Sequence, residues 1–146
     1  MVEVAAATPM MNTQTGDALW LGDGVEVFLG HEKPDQPGPL LFTDRQVLLS
    51  GRPVDGKPQF YYAHSPKQYD CGLTVVRNVN GKGYVIEAAI PFAALDMKPA
   101  EGQPVLFDLA LDNSNDGSSR SCQLMWNGIA RNSGDRTHWA HATLAR

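Results

Sequence analysis

Apolar residues recur at every second position in short runs along this chain, and clusters of Gly, Pro, Asn and Asp separate the runs. That period of two is the signature of β-strands joined by turns. The runs begin at Val2 (VEVAAA), Val25 (VEVFL), Leu40 (LLFTDRQVLL), Gln59 (QFYYA), Leu73 (LTVVRNV), Tyr84 (YVIEAAI), Pro104 (PVLFDLALD), Ser121 (SCQLMW) and Trp139 (WAHATLA). NGKG at 80–83 predicts a hairpin turn, because Asn-Gly accepts positive φ. PFAALDM after Ile90 predicts one short helical turn, with Pro91 suited to its first position. GHEKPDQPGP at 30–39 reads as a loop. The pattern predicts an all-β fold: one antiparallel two-sheet β-sandwich of jelly-roll or immunoglobulin-like kind, spanning 1–146.

Alternation also sorts the faces. Val25, Val27 and Leu29 share one side of their strand, Glu26 and Phe28 the other. Tyr84, Ile86, Ala88 and Ile90 oppose Val85, Glu87 and Ala89. Val105, Phe107, Leu109 and Leu111 oppose Leu106, Asp108, Ala110 and Asp112. One face of each strand is continuously apolar and is expected to meet the second sheet. The other carries isolated carboxylates among small and aromatic residues, and is expected to be half-exposed and suited to a polar, uncharged ligand.

Composition narrows the function. With 146 residues, 42% hydrophobic and 19% charged, the chain has the make-up of a soluble globular domain. Its formal charge of −4 comes without a basic run, which disfavours nucleic acid and anionic membrane as partners. No apolar run approaches the roughly 20 residues of a membrane helix. The segment at 1–12 lacks the basic start and apolar centre of a signal peptide and reads as a strand, so the chain looks like a piece of something longer. Cys71 and Cys122 have no metal-site spacing; they either form one disulfide or remain as buried thiols.

Several motifs could carry chemistry. DNSNDG at 112–117 matches the opening of a calcium loop, with Asp112, Ser114 and Asp116 offering oxygens and Gly117 the sharp turn. Gln123 stands where a closing glutamate belongs, and a plain polar hairpin loop is the alternative. Glu26 and Glu87 could form a glycosidase pair, although nothing fixes their separation. His31, His64, His138 and His141 are scattered, and no nucleophile elbow is present. Trp126 and Trp139 are expected in the core. Trp20 falls in a loop beside polar residues, where an exposed ring suits the apolar C–H face of a pyranose.

Three stretches then carry a resemblance: WLGDGVEVFL from Trp20, GYVIEAAIPFAAL from Gly83, and VLFDLALDNSNDGSSRSCQLMW from Val105, with HWAHATLAR at the end. In order and spacing they resemble the family 9 carbohydrate-binding modules, within the DOMON-like β-sandwiches. The resemblance implies a non-catalytic sugar-binding module carried by a secreted glycoside hydrolase, extracellular or periplasmic, often with structural calcium. It implies cello-, xylo- or related oligosaccharides as ligands. By position, Trp20 corresponds to one tryptophan of the family's aromatic clamp, and Glu26 to a sugar-binding carboxylate. Gln46, Asp112, Asn113 and Arg120 correspond to polar positions of the site. No aromatic stands at Ser133 or Gly134, where the partner tryptophan is expected, and Leu48 replaces a polar contact. The family's module opens some tens of residues earlier, so the chain is expected either to be trimmed from a larger protein or to form a homodimer covering an exposed sheet edge. The alternative function is a haem b electron-transfer domain with Met10 or Met11 and a histidine as axial ligands. A structural domain without ligand is a third reading.

Overall fold

The computed structural model describes residues 1–54, 57–77 and 82–145. Nine strands occur among them: β1 Val2–Val4, β2 Gly24–Gly30, β3 Arg45–Val54, β4 Lys57–Ala63, β5 Thr74–Arg77, β6 Tyr84–Glu87, β7 Pro104–Ser114, β8 Arg120–Met125 and β9 Ala140–Thr143. Each overlaps one of the alternating runs. The run from Leu40 is strand only from Arg45, because the carboxylate of Asp44 accepts from Leu41 N (2.8 Å) while Asp44 N donates to Leu41 O (3.0 Å), closing a turn. Asn80 and Gly81 of the expected hairpin turn lie outside the described residues; β5 and β6, which flank them, pair antiparallel with Arg77 opposite Tyr84.

All pairings between strands are antiparallel and they form two sheets. The small sheet runs β1-β6-β5 and the large one β4-β3-β2-β7-β8, with β9 pairing the first part of β7. β7 is long enough to hold β9 through Pro104–Phe107 and β8 through Ala110–Ser114 on one edge, with β2 on the other. The β-sandwich expected from the alternation is therefore the fold. Two 3-10 helices accompany it, Gly16–Leu21 and Phe92–Leu95; the second follows Pro91 as expected, while the first was read as loop.

The core between the sheets holds the face that alternation assigned to it. Val25, Val47, Leu49 and Tyr62 from the large sheet meet Val4, Tyr84 and Ile86 from the small one, and Val27, Leu109, Leu111, Ala88 and Ile90 pack around them. The second face of the large sheet differs from expectation. Glu26, Phe28, Asp108 and Asp112 are at most 2% exposed, so this face is covered, not half-open. Trp139 and Leu40 pack on Phe28, Leu106 and Ala110, with the Trp139 and Phe28 rings 5.5 Å apart. The segments carrying Leu40 and Trp139 are tied by the Pro39–Asp135 bridge and by Arg136 N donating to Gly38 O (2.8 Å). Connections that are irregular in sequence thus form a lid over a regular sheet.

Ile86 is 1% exposed at the centre of the inter-sheet core. Truncation to alanine leaves a cavity that two packed sheets cannot close, so Ile86→Ala should destabilise the fold by about 2–5 kcal/mol. Chemical denaturation checks this, and an unchanged midpoint would contradict the assignment of the core.

Candidate functional site

Trp20 projects from the 3-10 helix Gly16–Leu21 and is 37% exposed. Buried Asn12 holds this helix in place, its side-chain amide donating to Leu19 O (2.9 Å) and Asp23 O (3.0 Å). The Arg120 guanidinium carbon lies 4.6 Å from the indole centroid. That cation–π contact fixes the ring plane and leaves the uncovered part of the ring free for a ligand.

Below Trp20, β2 places Glu26 between Leu48 of β3 and Ala110 of β7. Burial of a carboxylate is costly unless donors replace its water. Glu26 accepts from Arg120 NH1 (3.2 Å), from Gln123 Nε2 (2.9 Å) and from the Gln46 side-chain amide. Asp112 accepts from the same Arg120 nitrogen (2.9 Å) and from Gln123 Nε2 (3.2 Å). Arg120 and Gln123 are three apart on β8, a spacing that strict alternation sends to opposite faces. A register shift opposite Asn113 and Ser114 adds one residue to β8 and turns both side chains toward Glu26.

These groups surround a cleft of about 330 Å³ that also includes Phe28, Leu48, His64 and Asn132. A cleft of this size is at the small end of ligand sites. Gln123 lines it, and its Oε1 is buried with no hydrogen-bond partner in the protein.

A third buried carboxylate shapes the far wall. Asp108 accepts from Asn127 N (3.0 Å), Gly128 N (2.6 Å) and Asn132 Nδ2 (2.6 Å), clamping this loop to the sheet. At Gly128 a Cβ would fall 2.3 Å from Asp108 Oδ2 and from Asn132, so only glycine permits the approach. The clamp sets Ala130, Asn132 and Ser133 on the cleft rim.

Of the residues singled out from sequence, Trp20, Glu26, Gln46 and Arg120 come together around the cleft, with Asp112 beneath Arg120. Asn113 does not join them; its side chain turns to the other face of β7 and bonds Ser121 Oγ (3.0 Å). Gln123, His64, Phe28 and Asn132 line the cleft without having been singled out for it. Only Gln123 left a signal, as a polar residue directly opposite Asp112 on the next strand.

Asp112, Ser114 and Asp116 do not fit a calcium site as arranged. Asp112 is bound to Arg120, and the Ser114 hydroxyl donates to Ser119 O (2.7 Å). Asp116 accepts from Ser118 N (2.7 Å), Ser119 N (2.9 Å) and Ser119 Oγ (2.9 Å), which hold its carboxyl well below the usual range. All three side chains are already engaged within the hairpin, and Gln123, at the closing position, sends an amide into the Glu26 cluster.

Glu87 is exposed on β6 of the small sheet and cannot pair with Glu26 across a cleft. Trp139 is in the core as expected, whereas Trp126 is 63% exposed, edge-on to Phe107 and away from the cleft. Cys71 is buried and Cys122 exposed, both as free thiols, so neither the bridge nor a pair of buried thiols describes them. Met10 is 4% exposed and packs in the inter-sheet core with Val4, Val25 and Tyr84.

Burial, followed by the adjacent Glu26 charge, pushes the Asp112 carboxyl up to about 8 against the opposing pull of Arg120. Below that pH a neutral Asp112 leaves Glu26 and Arg120 balanced in charge. An unfolded Asp112 ionises near 3.8, so between these values the folded chain holds the extra proton. Stability should therefore fall as pH rises through that window. Asp23 and Asp44, also raised by burial, add the same sign. Urea titrations at several pH values should show the decline, and Asp112→Asn should flatten it in part; a parent chain whose stability rises across the window would refute the assignment.

The model of the family described as "Carbohydrate family 9 binding domain-like" matches residues 2–146. A family 9 carbohydrate-binding module from Caldicellulosiruptor kristjanssonii, solved in complex with cellotriose, superposes with a TM-score of 0.69 at 16% identity, over 98% of this chain and 66% of that one. A family 9 module from the same organism in complex with glucose gives 0.66 at 16% identity, over 95% and 67%. The chain thus spans about two thirds of the length of those solved modules. No curated protein matches it. With its sequence matched almost from end to end and its sandwich shared with these modules, the chain belongs to the family 9 carbohydrate-binding domain-like proteins.

Proposed function

We propose that the chain is a non-catalytic carbohydrate-binding module whose cleft takes a pyranose unit of a cello- or xylo-type oligosaccharide. The observation that carries this reading is an exposed indole held by Arg120 beside a cluster of buried polar groups. A sugar has the matching surface: apolar C–H faces ringed by hydroxyls. Trp20 receives the face. Arg120 donates to hydroxyl oxygens, and Glu26 aims the donors that Gln46, Arg120 and Gln123 carry. Bonds to the charged members contribute more than neutral ones. Cellotriose and glucose in the related modules support a glucose-based ligand. The same reading makes the chain the substrate-targeting part of a secreted glycoside hydrolase.

Calorimetry with cello-, xylo- and manno-oligosaccharides tests it. Trp20→Ala should lower affinity by about tenfold or more, the equivalent of one stacking contact. Gln123→Leu, which removes a donor to Glu26 and Asp112, should weaken binding while leaving the stack. A parent chain that binds none of these sugars, or binding untouched by Trp20→Ala, would overturn the site.

A further inference from the structure

Beside the cleft lies a second hollow of about 370 Å³, lined by Pro39, Leu40, Leu41, Phe42, His64, Ser133 and Gly134. His64 and Ser133 border both spaces, so the two are neighbours. Phe42 is 80% exposed, which for a single apolar residue is unremarkable on a surface. How it is held is less ordinary. The turn that carries it is fastened by Leu41 N donating to Asp44 Oδ2 (2.8 Å) and Asp44 N to Leu41 O (3.0 Å). Arg45 NH1 donates to Phe42 O itself (2.7 Å), and its Nε to Ala94 O (3.1 Å). Beneath the turn Asp44 faces Arg136 at 3.5 Å, with both side chains fully buried. Burying such a pair is costly and contributes little net stability, so what it secures here is the position of the turn and of the ring at its tip.

His64, the residue shared by the two spaces, has φ of 62°, in the left-handed region that side chains seldom adopt. Strained backbone of this kind concentrates at ligand sites, where the surroundings over-determine it. The hollow's described lining has no formal charge: an aromatic face, an imidazole, a hydroxyl and aliphatic carbon. An uncharged ring with an apolar face and hydroxylated edges matches it.

We propose that this hollow is a second sugar subsite, in which Phe42 stacks on a further pyranose of the chain whose first unit lies over Trp20, and His64 and Ser133 bond its hydroxyls. The inference rests on the sugar-binding reading of the Trp20 cleft and adds to it a preference for chains over single sugars. The shared His64 and Ser133 make the two spaces neighbours, as consecutive units of one sugar chain require.

Calorimetry of the whole chain with glucose, cellobiose and cellotriose, and with xylose, xylobiose and xylotriose, separates the two claims. In the parent, affinity should rise by about tenfold from monosaccharide to oligosaccharide, the scale of one aromatic contact. Phe42→Ala should remove that rise and leave monosaccharide affinity unchanged, whereas Trp20→Ala should weaken every length. The exposed ring makes Phe42→Ala a mild change for folding. A rise that survives Phe42→Ala, or a parent that binds all lengths equally, would overturn the second subsite while the first stands. A parent that binds none of the sugars would overturn both.

Discussion

A carboxylate placed on a covered sheet face must be given donors, and this requirement organises the molecule. Five carboxylates among the described residues are buried: Asp23, Glu26, Asp44, Asp108 and Asp112. Left unsatisfied, each would cost several kcal/mol or be forced to take up a proton. Given donors, the five hold four segments of the chain, Glu26 and Asp112 sharing one. Asp23 receives Met11 N (2.6 Å) and Ser114 N (2.7 Å), joining the N-terminal segment to β7. Asp44 closes the turn before β3, Asp108 fastens the loop after β8, and Glu26 with Asp112 draws in the β8 side chains. Irregular connections are thereby ordered without regular structure of their own.

This explains why part of the fold was legible in sequence and part was not. Alternation in VEVFL, YVIEAAI and VLFDLALD located strands and assigned Val25, Ile86 and Leu109 to the inter-sheet core correctly, because period two is a local property. It assigned Glu26 and Asp108 to the opposite face, also correctly, but could not foresee that this face would be covered. The cover comes from Leu40 and Trp139, about a hundred residues apart, and its pinning depends on contacts such as Arg136 with Asp44. Nothing periodic marks such residues.

The candidate site shows the same division. Trp20, Glu26, Gln46 and Arg120 converge from the 3-10 helix, β2, β3 and β8, and the resemblance had named all of them. Asn113 had been named with them, yet one position along β7 from Asp112 is enough to reverse its direction. Gln123 was noticed only as a misfit in a calcium loop. The cross-strand pairing with Asp112 gives it a different place, as a donor to two carboxylates with no hydrogen-bond partner for its carbonyl in the protein. His64 and Asn132 enter from turns whose course depends on Asp108 and on a left-handed backbone, neither visible as a motif.

The register shift in β8 has a consequence for how such a site changes over generations. Arg120 reaches Glu26 only because β8 is one residue longer than its partner at that point. A one-codon insertion between Asn113 and Ser114 would restore strict pairing and rotate the guanidinium to the opposite side, with every side chain of the cluster retained. Charge at the cleft can therefore be lost or regained by a change in length alone. Among related chains, counting residues in this turn is as informative about the site as reading their identities.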